Sequence, residues 1–358
     1  MKRTISSYFA ISFAVVMITS LINPAKAQPN PGDFIRAGGA DASLLMSEYM
    51  SPFFKSFGAN LNTGWYNTGK VHKLGRPDIT VSLNVSVISA ADKTFDIAEL
   101  NLEKARLNDP SNSIASTAFG PNLRGPKMDI YETNPLTGTD TVVGSFFMPQ
   151  GLNLPVFATP TANLGIGLPF NTEIMVRYIP TVNYGKSGEI GLLGAGIKHD
   201  LKQWIPVMKM LPFDWSVALG YTKFKTSYGL DVPSSDSTKN NSGFYDDQRF
   251  ELETDAFMIN TIVSKKILMV TLYGGVGYQT STSSLGFKGV YPVQSFDSNG
   301  KRKDDDIVDP LTAEYKGANS AQATLGMRLK VLIFTLHGQY TFAEYNNFSL
   351  GLGLSLGN

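Results

Sequence analysis

The chain has 358 residues, with 31 basic side chains, 30 acidic side chains and no cysteine. This near-balance of charge provides no basic surface for nucleic acid, so no nucleic-acid partner is expected. The absence of cysteine excludes disulfide-stapled folds and thiolate metal sites.

The first 27 residues have the features of a secretory signal peptide. Two basic residues precede an apolar run over about residues 8–22, and Ala25-Lys26-Ala27 has the small-x-small form of a cleavage site. We therefore expect export and cleavage after Ala27. Beyond this point no apolar run approaches the roughly 20 residues that a spanning helix needs. The exported chain is then either soluble or crosses a membrane as β-strands.

Residues 28–58 are predicted to form an N-terminal helical hatch or plug. Over 40–59 the sequence does not alternate, and its large apolar residues recur near the helical period. Asp41 is placed to cap this helix, and Pro52 is expected to kink or restart it. The hatch residues by this pattern are Leu45, Tyr49, Phe53 and Phe54. A hatch inside a lumen and a helix packed under the rim of a barrel both fit the pattern.

The segment after the predicted hatch is harder to divide into strands. Residues 78–88 alternate between apolar residues and small polar ones, as a half-buried strand does. Further candidate strands are 61–69, 128–132 and 142–148. The pairing within residues 93–140 stays open.

Nine alternating segments follow, and most have about the 9–11 residues of a membrane-spanning strand. The last is the clearest, because from Phe348 onward large apolar residues alternate with glycine and serine. Two long polar links, 228–248 and 283–320, fall at one end of the predicted barrel, as outer loops do. The nine segments are 161–168, 171–179, 189–198, 213–226, 249–263, 267–281, 321–329, 332–342 and 346–356. Together with the earlier candidates they predict 14 strands, with 12 as the alternative.

The opposite, periplasmic end has one substantial link, 198–212. It contains Trp204 and Ile205 next to lysines, a composition that suits an interfacial elbow or short amphipathic helix. An ordinary long turn is the alternative.

Charged residues within the strands are assigned to the lumen, because a charge on the lipid face costs roughly 2–4 kcal/mol. The residues placed inward by this rule and by alternation are Glu173, Arg177, Asp214, Arg328, His337 and Gln339. They either line a polar pathway or form structural ion pairs in a filled barrel. The histidines are predicted to lie apart, with His72 in an outer loop and His199 at the periplasmic rim. We therefore expect no catalytic residue, metal site or cofactor.

Several stretches resemble a known family. SPFFKSFGANLNTGWYNTGKVHKLG, NLGIGLPFNTEIMVRYIP and GIKHDLKQWIPVMKMLPFDWSVALGYT are similar to an uncharacterised Bacteroidota outer-membrane barrel family, catalogued only as a domain of unknown function. More distantly, a helical segment ahead of a barrel resembles the long-chain fatty acid outer-membrane transporter superfamily. The Asn-Pro-Ala motif of that superfamily's hatch occurs here only within the signal, at residues 23–25. The closer resemblance implies a fold and no substrate.

The sequence thus predicts an all-β protein, with a transmembrane antiparallel up-and-down β-barrel over 59–358 in the outer membrane of a Gram-negative bacterium. The expected partners are outer-membrane lipid, the barrel-insertion machinery and a small molecule that could be hydrophobic. We expect a channel or transporter and no enzyme, with a non-transporting structural or assembly scaffold as the alternative. A lumen blocked by side chains would favour the scaffold, and an apolar pocket between hatch and wall would favour transport.

Overall fold

The computed structural model of the chain describes residues 39–184, 188–234, 243–296 and 302–356. These ranges contain one long helix, α1 (Gly39–Asn62), and a series of strands numbered in chain order. The strands are β1 (Pro77–Val87), β2 (Thr94–Asp96), β3 (Ala105–Leu107), β4 (Ile114–Ser116), β5 (Lys127–Thr133), β6 (Asp140–Phe147), β7 (Val156–Leu168), β8 (Thr172–Tyr184), β9 (Gly188–Asp200), β10 (Asp214–Gly229), β11 (Arg249–Ile267), β12 (Val270–Lys288), β13 (Val290–Phe296), β14 (Arg302–Val308), β15 (Leu311–Val331), β16 (Phe334–Phe342) and β17 (Asn347–Ser355). No helix within the described ranges is long and apolar enough to cross a membrane.

Ten strands close into one antiparallel barrel, in the order β1, β17, β16, β15, β12, β11, β10, β9, β8 and β7, and β7 pairs back with β1. Two insertions interrupt the succession of neighbours: β2 to β6 come between β1 and β7, and the hairpin of β13 and β14 comes between β12 and β15. Both leave from the same end, which we call the loop end. The connections 169–171, 201–213, 268–269 and 332–333 lie at the opposite end, the turn end.

Strand β17 shows why the sequence closes into this barrel. Its large residues point outward, with Leu352 66% exposed, whereas Ser349 and Ser355 point inward and are buried. A Cβ on Gly351 would lie 2.2 Å from Cε1 of His337 on the neighbouring strand. The small inward face therefore leaves room for side chains from adjacent strands. The two-residue period places an apolar surface outside the barrel and a polar one inside.

The predicted strand count is wrong, because the barrel has ten strands rather than 14 or 12. The nine later segments and 78–88 all form barrel strands. Residues 61–69, however, complete α1 and continue as an irregular segment. Residues 128–132 and 142–148 do fall on strands, β5 and β6, but these pair with each other and with β3 in a separate sheet at the loop end. Alternation identifies a strand and does not identify its partner.

Helix α1 lies inside the barrel and packs against strands on both sides of the lumen, including β1, β7, β12 and β15. It begins at the loop end and runs toward the turn end. It continues through Pro52 as a single helix, so the predicted restart at this residue is wrong, and a kink there stays a prediction. Asp41 lies in its first turn and does not cap it. The Asp41 carboxylate instead accepts hydrogen bonds from the backbone N–H groups of residues 103, 104 and 105 at 2.7–2.8 Å. This contact fastens the start of α1 to the loop-end insertion.

Candidate functional site

The candidate site is the interface between the barrel wall and the segment that fills it. We call residues 39–76 the lumenal plug; it comprises α1 and the irregular segment 63–76 that leads into β1. The plug is enclosed by barrel strands over most of its length, so its contacts decide whether the lumen is open or closed.

The loop-end half of the plug is held by aromatic packing. Phe54 stacks on Tyr315 with ring centroids 4.8 Å apart, and Phe57 meets Phe224 edge-on at 4.8 Å. Phe53 lies 5.4 Å from Phe157 on β7. Each such pair contributes about 0.5–1.5 kcal/mol beyond the burial of its area. These residues belong to a continuous apolar cluster that also reaches the loop-end sheets.

Near its C-terminal end α1 changes from apolar contacts to hydrogen bonds with inward-facing wall residues. Asn60 donates through Nδ2 to the carbonyl of Phe157 at 2.9 Å and to Thr159 Oγ1 at 3.0 Å. Asn84 on β1 donates to the Asn60 carbonyl at 3.2 Å. Asn62 donates to the carbonyl of Thr280 at 3.0 Å. All three asparagines are buried, so these bonds give buried polar groups their partners.

Arg177 binds the C-terminal end of α1. The last carbonyls of a helix lack partners within it and carry partial negative charge. The Arg177 guanidinium donates to the carbonyls of Leu61 and Thr63 at 2.6 and 2.9 Å, and to Asn163 Oδ1 at 2.8 Å. It also lies 4.3 Å from the centroid of the Trp65 ring. Arg177 is fully buried, so its charge is compensated by the helix end and the indole face.

The Trp65 ring packs against three glycines of the barrel wall, Gly194, Gly196 and Gly220, which we call the glycine floor. A Cβ on Gly194, Gly196 or Gly220 would approach the Trp65 ring to 3.1, 2.9 and 2.7 Å. These glycines occupy neighbouring positions on β9 and β10. The wall is therefore shaped to accept this one aromatic ring from the plug.

At the turn end a chain of buried ionic contacts joins the plug to the wall. Lys198 Nζ lies 2.9 Å from Glu173 Oε2, and the same oxygen lies 2.8 Å from His72 Nδ1. His72 Nε2 is 3.4 Å from Asp78 Oδ2, which in turn is 3.1 Å from Arg328 Nη2. We call these five residues the ionic network. His72 belongs to the plug and the other four to β1, β8, β9 and β15, so the network crosses from one side of the wall to the other through the plug.

His72 is the titratable group of the plug in this network, and it lies outside the strands. Burial lowers its tendency to protonate, but the hydrogen bonds to Asp78 and Glu173 outweigh burial and raise the pKa of the imidazole above its ordinary value. When it is protonated, His72 is held between two carboxylates. A small recess beside it, in part open to solvent, is lined by Trp65, Tyr66, Asn67 and members of the ionic network.

The structure places the predicted lumenal residues as follows. Glu173, Arg177, Arg328, His337 and Gln339 are buried at inward positions, and Asp214 is half-buried where β10 begins. Glu173 and Arg328 meet through the ionic network, whereas Arg177 binds the helix end separately. His337 lies 3.4 Å from Ser82 Oγ, and Gln339 accepts a hydrogen bond from Tyr273 at 3.1 Å. Whether these side chains line a pathway stays a prediction.

Among the predicted hatch residues, Leu45 and Phe54 are fully buried and Phe53 nearly so. Tyr49 is half-buried and donates to the carbonyl of Gln150 at 3.1 Å. The location predicted for His72, an outer loop, is wrong, because it depended on a strand over 61–69 that does not exist.

Sequence reasoning missed His72, Asp78, Lys198 and Trp65 as site residues. Asp78 and Lys198 carried a usable signal, since each is a charged residue at an inward position of a correctly identified strand. His72 and Trp65 carried none, because the path of an irregular segment has no sequence period.

Comparison with known proteins identifies a family and a set of solved structures of low similarity. No curated protein matches the chain significantly. Similar solved structures include the attachment invasion locus protein Ail of Yersinia pestis (8% identity, 79% of this chain and 98% of that chain, TM-score 0.25). Others are the translocator domain of autotransporter NalP from Neisseria meningitidis (11%, 89% and 98%, 0.28) and the outer membrane protease OmpT from Escherichia coli (12%, 80% and 98%, 0.30).

TM-scores of 0.25–0.30 are too low for the activity of any of these three proteins to be assigned to this chain. A Bacteroidota origin and the link to fatty acid transporters also stay predictions. The resemblance to an uncharacterised family is confirmed: over residues 1–356 the sequence matches the family of unknown function DUF6588, and the chain belongs to that family.

Proposed function

We propose that the chain is an outer-membrane β-barrel whose lumen is closed by its own plug, and that movement of the plug admits a small polar solute. The membrane assignment is supported by the inversion of the usual polarity, with apolar residues outside and polar residues inside. In water an exterior of this kind would be costly, whereas in lipid it is favourable. Exposed exterior residues on the strands include Ile79, Val81, Leu83, Leu164, Ile174, Ile197, Ile259, Leu272, Leu325, Leu350 and Leu352.

Toward the turn end the buried inward face of the wall is polar, which favours a polar solute over the hydrophobic one that the sequence also allowed. Buried inward residues of the wall include Thr80, Ser82, Asn84, Thr159, Thr161, Ser216, Thr222, Thr254, Gln322, Thr324 and Gln339. The recess beside the ionic network is lined by Trp65 and Met175 and, in addition, by polar and charged side chains that include Asn67, Asn163 and Lys198. An apolar solute would have to displace water from these groups without replacing their hydrogen bonds.

The observation that carries the gating proposal is the ionic network. Burying charged groups is expensive, and a packed apolar contact of the same volume would usually stabilise a permanent closure at least as well. Charges and hydrogen bonds, unlike an apolar core, can be exchanged for water when a segment moves. The network holds the plug through one residue, His72, so a local change releases the contact at both carboxylates.

The second candidate is a non-transporting scaffold, and the aromatic half of the plug favours it. Phe53, Phe54 and Phe57 are buried in one cluster with the loop-end insertion, which would have to be disrupted for full removal of α1. A lumen that stays filled would leave the loop-end sheets as the functional surface.

Single-channel recording in planar bilayers separates the two candidates. The purified chain is compared with Glu173→Gln/Asp78→Asn, which neutralises both carboxylates of the network, and with a deletion of residues 39–58. A helix with side chains is about 10–12 Å in diameter, so its removal from a folded barrel leaves a water-filled passage. The matched control is Glu253→Gln/Asp255→Asn, a pair of carboxylates on the exterior of β11 that contact Lys223.

For a gated channel we expect rare openings of the unmodified chain, at least tenfold more frequent openings of the network variant, and no change in the control. Heat-modifiable migration in gels verifies that each variant is folded. If the folded deletion conducts but the network variant is as silent as the control, the plug is a fixed seal and the scaffold is correct. If the folded deletion does not conduct, no passage exists and gating is refuted.

A further inference from the structure

The two ends of the barrel exterior differ in a way that the membrane assignment alone does not explain. Toward the loop end, the outward face of β10 passes from Tyr221 to Lys223 and Lys225, and Glu253 of β11 lies beside these lysines. This surface is charged and belongs in water. Toward the turn end the outward face of β11 remains largely apolar as far as Ile267, the last residue of the strand.

The apolar surface continues from the strands into the turns themselves. Six large apolar side chains of the turn-end connections are 70–90% exposed: Phe170, Trp204, Val207, Met210, Leu268 and Leu332. We call these six residues the turn-end rim. Isolated exposed apolar residues are ordinary, but a group that continues an apolar surface indicates a contact.

Three rim residues also occupy an unfavourable backbone conformation. Phe170, Leu268 and Leu332 have φ angles of 60°, 56° and 56°, in the left-handed region where glycine or asparagine is the usual residue. A large apolar side chain that only faces water does not stabilise such a turn, and its replacement by glycine or asparagine would not destabilise the fold. Its presence in three separate turns points to a second environment that contacts the side chains.

The fourth connection, 201–213, holds Trp204 at the same end. It forms two short 3-10 turns, Lys202–Trp204 and Pro206–Met210. The Trp204 indole donates to His199 Nε2 at 2.9 Å, and the Lys202 ammonium binds the carbonyls of Leu211 and Phe213. The elbow is therefore fastened to itself and to β9, and its apolar residues project from a fixed base.

Basic residues surround the rim. Lys73, Lys209, Lys265 and Lys266 are exposed at the turn end. The acidic residues of the described connections and strand ends there are not exposed: Asp200 and Asp214 are half-buried, and Asp78 and Glu173 are buried. A surface that combines large apolar side chains with flanking lysines matches the boundary between phosphate headgroups and acyl chains. A soluble protein partner would need no continuity with the lipid-facing wall.

We propose that the turn-end rim is embedded in the phospholipid interface of the membrane, with the flanking lysines at the level of the phosphates. This inference rests on the proposed membrane barrel and adds its position: the bilayer lies flush with the turn end, and the barrel projects into water only at the loop end. The occupant of the rim is phospholipid rather than a second protein.

Single-tryptophan fluorescence in vesicles tests the placement. The chain has 3 tryptophans, so each reporter needs only a few substitutions. The rim reporter keeps Trp204 alone, in Trp65→Phe/Trp215→Phe. The wall reporter keeps Trp215, on the outward face of β10, in Trp65→Phe/Trp204→Phe. The water reporter adds Leu136→Trp, at a site 68% exposed in the loop-end insertion, to a chain without the native tryptophans. Vesicles contain phosphatidylcholine and phosphatidylglycerol, with or without phosphatidylcholine brominated near the headgroup end of its acyl chain.

We expect brominated lipid to quench Trp204 and Trp215 at least twofold and to leave the Leu136→Trp reporter unchanged, with the reverse order for aqueous iodide. If Trp215 is quenched by lipid while Trp204 is quenched by iodide as strongly as the water reporter, the barrel is in the membrane and the rim is not, so a soluble partner becomes the better occupant. If neither Trp204 nor Trp215 is quenched by lipid, both the placement of the rim and the membrane assignment are wrong.

Discussion

The two halves of the plug are held by opposite kinds of interaction. The loop-end half is packed through phenylalanines that belong to one apolar cluster. The turn-end half is held by the ionic network, by Arg177 and by hydrogen bonds to wall residues. An apolar cluster is stable because water is excluded from it, whereas buried charges are stable only while each keeps its partner. We therefore expect the turn-end half to respond to pH and to neutralising mutations, and the loop-end half to respond only to changes of volume.

The largest expected effect comes from emptying the aromatic half. Phe57 is 1% exposed, so Phe57→Ala removes a whole ring from a packed cluster and should cost about 3–5 kcal/mol in free energy of unfolding. Urea unfolding in phospholipid micelles measures it. Leu44→Ala on the same helix, at a site 41% exposed, is the matched control. An equal small loss in both variants would mean that the helix is not packed as described.

Breaking the ionic network should be the next largest effect. Glu173→Gln leaves the buried Lys198 and His72 without their carboxylate, and we expect a loss of about 3 kcal/mol, the lower end for a broken buried pair because the amide remains an acceptor. Glu253→Gln breaks an exterior pair with Lys223 and should cost about 0–1 kcal/mol. The same unfolding measurement applies, and a network variant no worse than the exterior one would contradict the comparison.

Adding one methyl group to the glycines beneath Trp65 perturbs the turn-end half of the plug separately from the loop-end half. In Gly220→Ala the new Cβ would lie 2.7 Å from the Trp65 ring, and this overpacking should cost about 1–3 kcal/mol. The emission of Trp65 should shift to longer wavelength as the ring leaves its seat, which a chain retaining only this tryptophan reports. Gly286→Ala, where the nearest atom is 3.5 Å away, should leave the emission unchanged.

The smallest expected effect is a dependence of stability on pH. Because the pKa of His72 is raised in the folded chain, its protonation stabilises the fold fully below the unfolded pKa of about 6.5 and this contribution is lost as pH rises through the folded pKa. The free energies of unfolding of the unmodified chain and of His72→Gln, plotted against pH, should therefore converge as the pH is raised from 6 toward 9. Parallel curves across this range would show that folding does not raise the pKa of His72.

Most of the barrel and the helix of the plug could be predicted from the sequence, whereas the irregular segment 63–76 could not. Alternation located the later strands and β1, and it placed Glu173, Arg177 and Arg328 inside because each residue of a strand has a fixed side. The same rule could not assign β5 and β6 to a separate sheet, since pairing is decided by contacts far apart in the chain. The path of 63–76 follows from the space that the wall provides for Trp65 and from the partners of His72 on β1 and β8.

The position of α1 has a consequence for the order of assembly. The plug directly precedes β1, and β1 pairs with β17, the last strand of the chain. A segment that starts at one mouth and leads into the wall at the other is most simply enclosed before that final seam forms. We therefore expect the N-terminal segment to act as a core on which the remaining strands gather, so that closure of the cylinder and sealing of its interior are the same event.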